Sequence, residues 1–594
     1  MPVLATVRTE RFLVTAEGEA GPFRVALSVR KEAQGLELVK VVLEAATPAR
    51  PGPIRITWPW PLVNTHLKWF PGCHTDRTLM PEWRGKRICA SKNTLNAPVY
   101  SLFDSSGRNC LTFALSDALS GVTLAAGVVE ETAEAKCEVT LFVDPYPPMS
   151  RYEATLRLDT RLVPYYEALA AVSDWWAAMP DATPSHVPDC AKLPMYSSWY
   201  SFHQRLEPEG LEAQCRLAKP LGMESVIVDD GWQTDDNSRG YAFCGDWEVT
   251  PSKFADFAAH VRRVHEIGMK YVLWFSVPFV GVHSKAYKRF GDKVLDPASK
   301  SGWFVLDPRF PEVREYLINL YESFVTRYGL DGFKLDFVDT FELTAETRDT
   351  LGEGRDIDSV QLGVDRLLTD TMKRLRALNS QVLIEFRQSY IGPLMRKYGN
   401  MFRSGDVPND YHGNRINTLD IRLISGNTPA HSDMVMWHPN DSVESAAMQL
   451  VHTLFSVPQV SVLLDRYPQS HVEMVRRYLS FWRENRDVLL EGHLEPAEPG
   501  MLYPAAIARN REKMIAACFG TSVVSIPHEV PGYLAVVNGT LGERVILELG
   551  KDAGTRKVTV TDCRGKRVSS RAVRLGAKVH ALGIPPAGIA ELQD

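Results

Sequence analysis

Between Met195 and about Leu490, short apolar runs alternate with helix-patterned stretches eight times. The runs are Met195–Tyr200, Ser225–Asp229, Tyr271–Val277, Gly332–Phe337, Val382–Arg387, Met401–Ser404, Pro429–Ser432 and Gln459–Leu464. Each is a candidate strand. Helical spacing of apolar residues fills stretches between them, as in Phe254–Ile267, Glu312–Arg327, Val360–Leu378 and Val443–Leu454. Eight β-α units in about 300 residues predict a closed (β/α)8 TIM barrel. An open doubly wound sheet is the competing architecture, but it gives no reason for polar residues at the C-terminal end of nearly every strand.

The flanks have a different character. Residues 1–165 carry alternating runs such as Gly35–Leu43, Gly121–Val129 and Arg151–Leu158, split by Pro/Gly turns, and predict a large N-terminal β-sandwich. Residues 166–190 read as a helical linker, its helix ending at Pro180. The barrel is expected over 191–495. The alternation returns in Tyr533–Asn538, Glu543–Leu549 and Lys557–Thr561, predicting a small C-terminal β-sandwich over 496–594. The expectation is a multidomain chain.

A net charge of −5 gives no reason to expect nucleic acid as a partner. No apolar run reaches the ~20 residues of a membrane span. The first ten residues have neither the basic nor the apolar region of a signal peptide, so the expected location is cytoplasmic. Nine scattered cysteines without a CxxC pair fit reduced thiols. No Gly-x-Gly-x-x-Gly, P-loop or Gly-x-Ser-x-Gly elbow supports nucleotide or serine-hydrolase chemistry. The 13 Trp and 20 Tyr suit a site that packs against the apolar faces of sugars, although large cores also consume Trp.

In a TIM barrel the working face is the C-terminal end of the strands. Those ends read Trp199; Asp229 and Asp230; Trp274; Lys334 and Asp336; Glu385, Arg387 and Gln388; Arg403 and Asp406; His431 and Asp433; and Asp465. Two of them, Asp336 and Asp406, each follow an apolar run and precede a helix, which suits paired carboxylates of glycoside hydrolysis. Lys334 lies on the same strand face as Asp336 and would keep it ionised, as a nucleophile requires; a structural Lys–Asp pair is the alternative. Asp410 lies near Asp406, and mutual repulsion would raise one pKa, which suits an acid/base. Asp410 is also the better N-cap for the helix beginning near Tyr411. Adjacent Asp229 and Asp230 could accept hydrogen bonds from neighbouring sugar hydroxyls, and no convergent third carboxylate favours a metal. A satisfied structural role is expected for His431. Arg387 could bind a 2-substituent or an acidic group of a substrate, or pair with Glu385 two residues earlier.

Val228-Asp229-Asp230-Gly231-Trp232, Gly245-Asp246-Trp247 with Lys253-Phe254, Lys334-Leu335-Asp336, and Ser404-Gly405-Asp406 with Asp410 resemble the α-galactosidases of glycoside hydrolase family 36 in order and rough spacing. The wider clan holds family 27 and raffinose synthase-like proteins. The resemblance implies Asp336 as retaining nucleophile, Asp406 as acid/base, and Asp229 and Asp230 as ligands of the galactose 4- and 6-hydroxyls. It implies sugar contacts from Lys334, Trp247 and Arg403, and no metal or other cofactor. Trp199, Trp274, Arg387 and Asp410 complete the expected binding set. The chain departs from the family pattern in three places. Glu385-Phe386-Arg387-Gln388-Ser389-Tyr390 stands where the family has a Gly-rich segment with Cys or Ser. The strand-four motif lacks the usual Trp after its Lys, and strand three lacks an acidic residue.

The expected activity is therefore that of a retaining, exo-acting α-glycosidase, an α-galactosidase or close relative, with an oligosaccharide or glycoside as its partner. A transglycosidase and a catalytically silent carbohydrate-binding protein are the rival readings. The sequence leaves open the sugar, the linkage and whether the chain forms a homo-oligomer.

Overall fold

The computed structural model describes residues 1–85 and 87–594. Two six-stranded antiparallel sheets form the N-terminal sandwich. Strict alternation puts Val39, Val41 and Leu43 of Leu36–Ala49 on the inner face of one sheet, and Ile54, Ile56, Trp58 and Trp60 of Ile54–Pro61 on that of the other. Helix Tyr165–Ala177 then leads to the barrel, burying Tyr165, Leu169, Val172 and Trp176.

The barrel strands are β1 (Met195–Ser197), β2 (Ser225–Val228), β3 (Lys270–Ser276), β4 (Gly332–Asp336), β5 (Leu383–Arg387), β6 (Met401–Arg403), β7 (Ala430–His431) and β8 (Gln459–Val460). They form one eight-stranded parallel sheet in the order β7-β6-β5-β4-β3-β2-β1-β8. Bridges His431–Val457 and Val435–Val460 join β7 to β8 and close the ring. All strands run one way, so every C-terminal end opens on the same mouth. The strands are nearly all buried on both faces, which is why they read as continuous apolar runs.

Helices Phe257–Ile267, Pro311–Tyr328, Val360–Leu378 and Val443–Val451 match the predicted helical stretches to within a few residues. Their ends obey local chemistry: Ser359 Oγ caps Leu362 N–H, and Gly268, at φ +89°, turns the chain out of its helix. After β3 a two-stranded antiparallel ribbon, Phe279–Gly281 with Trp303–Val305, stands beside the mouth. A seven-stranded and a three-stranded sheet form the C-terminal sandwich, which starts at strand His493–Pro496.

Candidate active site

β4 carries Lys334 and Asp336 on one face, and the two side chains do different things. Lys334 Nζ crosses the barrel to donate to Asp229 Oδ2 at 2.6 Å, and both side chains are buried. Asp336 has other partners. Its Oδ1 accepts from Arg387 Nε at 2.8 Å, from Phe337 N–H at 2.9 Å and from the Tyr390 hydroxyl. Its Oδ2 accepts from Trp274 Nε1 at 3.0 Å. Burial alone would raise the pKa of Asp336, but Arg387, then Lys334, and the Tyr390 and Trp274 hydrogen bonds outweigh it and hold the carboxyl far below the usual range. Lys334 thus favours the ionised form of Asp336 through its field, while its direct ion pair is with Asp229. Phe337 sits at φ +63°, a conformation L-residues rarely take, and its N–H donates to the preceding carboxylate.

Arg387 makes no ion pair with Glu385. Parallel register sets Arg387 of β5 beside Arg403 of β6. Arg387 reaches Asp336, and its guanidinium lies 5.3 Å from the Phe337 ring centroid and 5.5 Å from that of Tyr390. Arg403 turns the other way. Its Nη2 donates to Asp406 Oδ1 at 2.9 Å and its Nη1 to Asp433 Oδ1. Two adjacent arginines therefore each hold one of the two candidate carboxylates.

Asp406 corrects a sequence-based expectation. Its side chain is 55% exposed, and desolvation, which would raise its pKa, is outweighed by Arg403, Lys334 and Arg387, so the pKa is lowered. The expected repulsion from Asp410 does not arise. Asp410 is exposed and caps the helix Tyr411–Arg422 through a 2.9 Å bond from Gly413 N–H. Proximity in sequence does not bring the two carboxylates to bear on each other, because capping turns Asp410 to the helix.

Asp229 and Asp230 lie in the tight loop after β2. Gly231 follows at φ +113°, where a Cβ would come within 2.5 Å of Gln204 Cα. Asp230 accepts from Gln204 Nε2 at 2.6 Å and Gln233 Nε2 at 2.7 Å, and burial pushes its pKa up to about 6. Trp199 is half-buried, with Arg239 over its ring. Trp247 is buried and packs on Trp232, Trp274 and Phe275. His431 is a satisfied structural histidine: Nε2 lies 2.8 Å from Ala191 O, Gln459 Nε2 lies 3.2 Å from Nδ1, and burial drops its pKa to about 4. No group of three or more His, Cys, Asp or Glu side chains among the described residues is arranged to hold a metal.

Sequence reasoning passed over Tyr390 as a partner of Asp336, and Asp433 as the second anchor of Arg403. It also passed over the buried pair Glu385 and Gln459. Glu385 and Asp433 were visible as polar strand ends; Tyr390 gave no periodic signal, because it follows β5 in a loop.

A sequence profile of the melibiase family matches residues 193–389, from the start of β1 to the loop after β5. α-Galactosidase Mel36A of Lactobacillus acidophilus is 31% identical over 153 residues, covering 24% of this chain and 20% of that protein. Over this part of the barrel the chain is similar to the α-galactosidases of glycoside hydrolase family 36. The bifunctional α-galactosidase/sucrose kinase AgaSK of Mediterraneibacter gnavus is 28% identical over 200 residues, 32% of this chain and 20% of that one. These alignments span only about a fifth of the length of either relative. The crystal structure of family 36 α-galactosidase AgaA from Geobacillus stearothermophilus superposes with a TM-score of 0.67 at 14% identity. That likeness covers 98% of this chain and 83% of AgaA, so the three-part architecture is shared.

Proposed function

We propose that this protein is a retaining, exo-acting α-glycosidase whose substrates carry a terminal α-linked galactose or a related sugar. One observation carries the reading: Asp336, at the end of β4, is a buried carboxylate held ionised by Arg387 and Lys334. In that state it is a nucleophile without needing a base. Its two oxygens differ. Oδ1 is committed to Arg387, Tyr390 and Phe337, whereas Oδ2 has Trp274 Nε1 alone, so Oδ2 is the attacking atom.

In the first step the Asp336 Oδ2–anomeric carbon bond forms as the glycosidic bond breaks, and Asp406 gives its proton to the departing oxygen. In the second, water gives a proton to Asp406 and attacks the anomeric carbon, freeing Asp336. The half-exposed position of Asp406 suits exchange with leaving group and water. Asp229, with its Lys334 clamp, and Asp230, with its two amides, are the sugar-binding carboxylates in this reading. The names of the similar proteins favour galactose among the sugars.

Turnover of aryl α-glycosides tests it. Asp336→Ala is expected to lose nearly all activity, with azide restoring turnover and giving the β-azide product. Asp406→Ala is expected to retain the first step only for substrates with good leaving groups. Wild-type-like activity in either variant refutes the assignment.

A further inference from the structure

Asp406 must start each cycle protonated, yet Arg403 holds it in the ionised state. The same guanidinium touches a third carboxylate. Glu385 of β5 is completely buried, and its Oε1 lies 3.7 Å from Arg403 Nε. Neither of these two buried atoms has a hydrogen-bond partner. Two unpartnered polar atoms facing each other in a barrel core are costly, and a small closure would join them. The other oxygen of Glu385 is tied down by Gln459 Nε2, which also reaches His431 Nδ1. Glu385 is thus anchored on one side and open toward Arg403 on the other.

We propose that Glu385 is a positioning residue that shares one proton with the acid/base Asp406, with Arg403 gripping whichever of the two is ionised. At rest the proton sits on Glu385 and Arg403 holds Asp406. When the proton is on Asp406, Glu385 is a carboxylate. Arg403 Nε then closes on Glu385 Oε1 as Nη2 lets go of Asp406. One proton leaves one carboxyl and arrives at the other, and the charge around Arg403 is unchanged.

The charged groups acting on Glu385 are Arg403 on β6, Lys334 on β4, its register partner, and Asp229 after β2; Gln459 on β8 links it to His431 on β7, and Asp433 after β7 binds the same Arg403. Burial dominates their combined effect and puts the Glu385 carboxyl up at about 7. His431, neutral because it is buried, does not compete for the proton. Coupled carboxyls of this kind titrate as a set rather than singly.

The inference rests on Asp406 being the acid/base, and its test separates the two. Glu385→Gln keeps shape and amide contacts but cannot become anionic. For an α-galactoside with a poor, sugar leaving group, the basic limb of kcat/KM is expected to move at least ~1 pH unit lower, with turnover at neutral pH falling about tenfold or more. A 2,4-dinitrophenyl α-galactoside, which needs no acid, is expected to change less than about threefold. Superimposable pH profiles for wild type and E385Q overturn the proposal. So does an equal loss on both substrates.

Carboxyl 13C resonances of Glu- and Asp-labelled wild-type protein give a readout independent of activity and of the variant's folding. A buried glutamate should titrate near neutrality while the Asp406 resonance moves with it. If no glutamate does so, or Asp406 does not respond, Glu385 and Asp406 share no proton. If the coupling is present but no α-glycoside is turned over, the functional reading fails and the proton sharing stands.

Discussion

Arg387 shows how one side chain can change the character of a site. Its Nε is bonded to Asp336 and its guanidinium lies over Phe337 and Tyr390, so its charge is spent mainly on Asp336. Arg387→Ala should therefore raise the Asp336 pKa, because burial would then meet less opposition. The acidic limb of kcat/KM should move up by about one pH unit or more. The stability effect follows the same sign. A carboxyl with a depressed folded pKa stabilises above its unfolded value, and that contribution disappears as pH falls through the folded pKa. The variant should thus lose stability at a higher pH than the wild type does in acid titrations followed by circular dichroism. An unmoved acidic limb would mean that Lys334, Tyr390 and Trp274 suffice to hold Asp336 ionised. Asp230 behaves oppositely. Its folded pKa of about 6 lies above its unfolded value, so its contribution is complete below about pH 4 and is lost as pH rises through 6. Asp230→Asn should flatten the thermal-stability profile over that window.

At the scale of elements, the barrel was legible because parallel strands buried on both faces leave unbroken apolar runs. Even β7 and β8, two residues long each, sit inside such runs. Strand periodicity also put Lys334 and Asp336 on one face. It could not show which carboxylate Lys334 meets, since Asp229 arrives from across the barrel, 105 residues away in sequence. Tyr390 stayed hidden for a related reason: it reaches Asp336 from the loop after β5, where no period applies. Asp410 misled through proximity, because a cap turns its carboxylate to backbone N–H groups and away from Asp406. Asp410→Ala tests that distinction. Loss of the cap should cost about 1 kcal/mol and lower Tm by a degree or more, with kcat and KM on an aryl α-galactoside unchanged. A raised KM with unchanged Tm would return Asp410 to the sugar site.

At the scale of the whole molecule, two of the places where the flanking domains brace the barrel stand out. Near the mouth, Asn96 N–H of the N-terminal sandwich donates to Ser389 O at 2.7 Å, beside Tyr390, and Lys92 Nζ holds Glu342 and Phe341 O in the loop after β4. The loop carrying a hydrogen-bond donor to Asp336 is thus supported from outside the barrel. The second brace is Asp420, on helix Tyr411–Arg422, where all three domains meet. It accepts from Trp69 Nε1 at 2.9 Å and Arg77 Nη2 at 2.8 Å, both from the N-terminal sandwich, and from the Tyr503 hydroxyl at 2.6 Å, from the C-terminal one. Arg77 also donates to Pro499 O at 3.1 Å, and both members of the ion pair are buried. Asp420→Ala would leave the Arg77 guanidinium in the junction without its counter-charge, a change that typically costs about 3–5 kcal/mol. The loss falls on contacts between domains, while the two sandwiches each keep a core of their own. Calorimetry should therefore show the unfolding endotherm move down and separate into more than one transition, as domains uncouple. Kinetics well below that transition should stay near wild type, because Asp420 touches none of Asp336, Asp406 or their arginines. A single endotherm at the wild-type temperature would show that the remaining contacts join the three domains without Asp420.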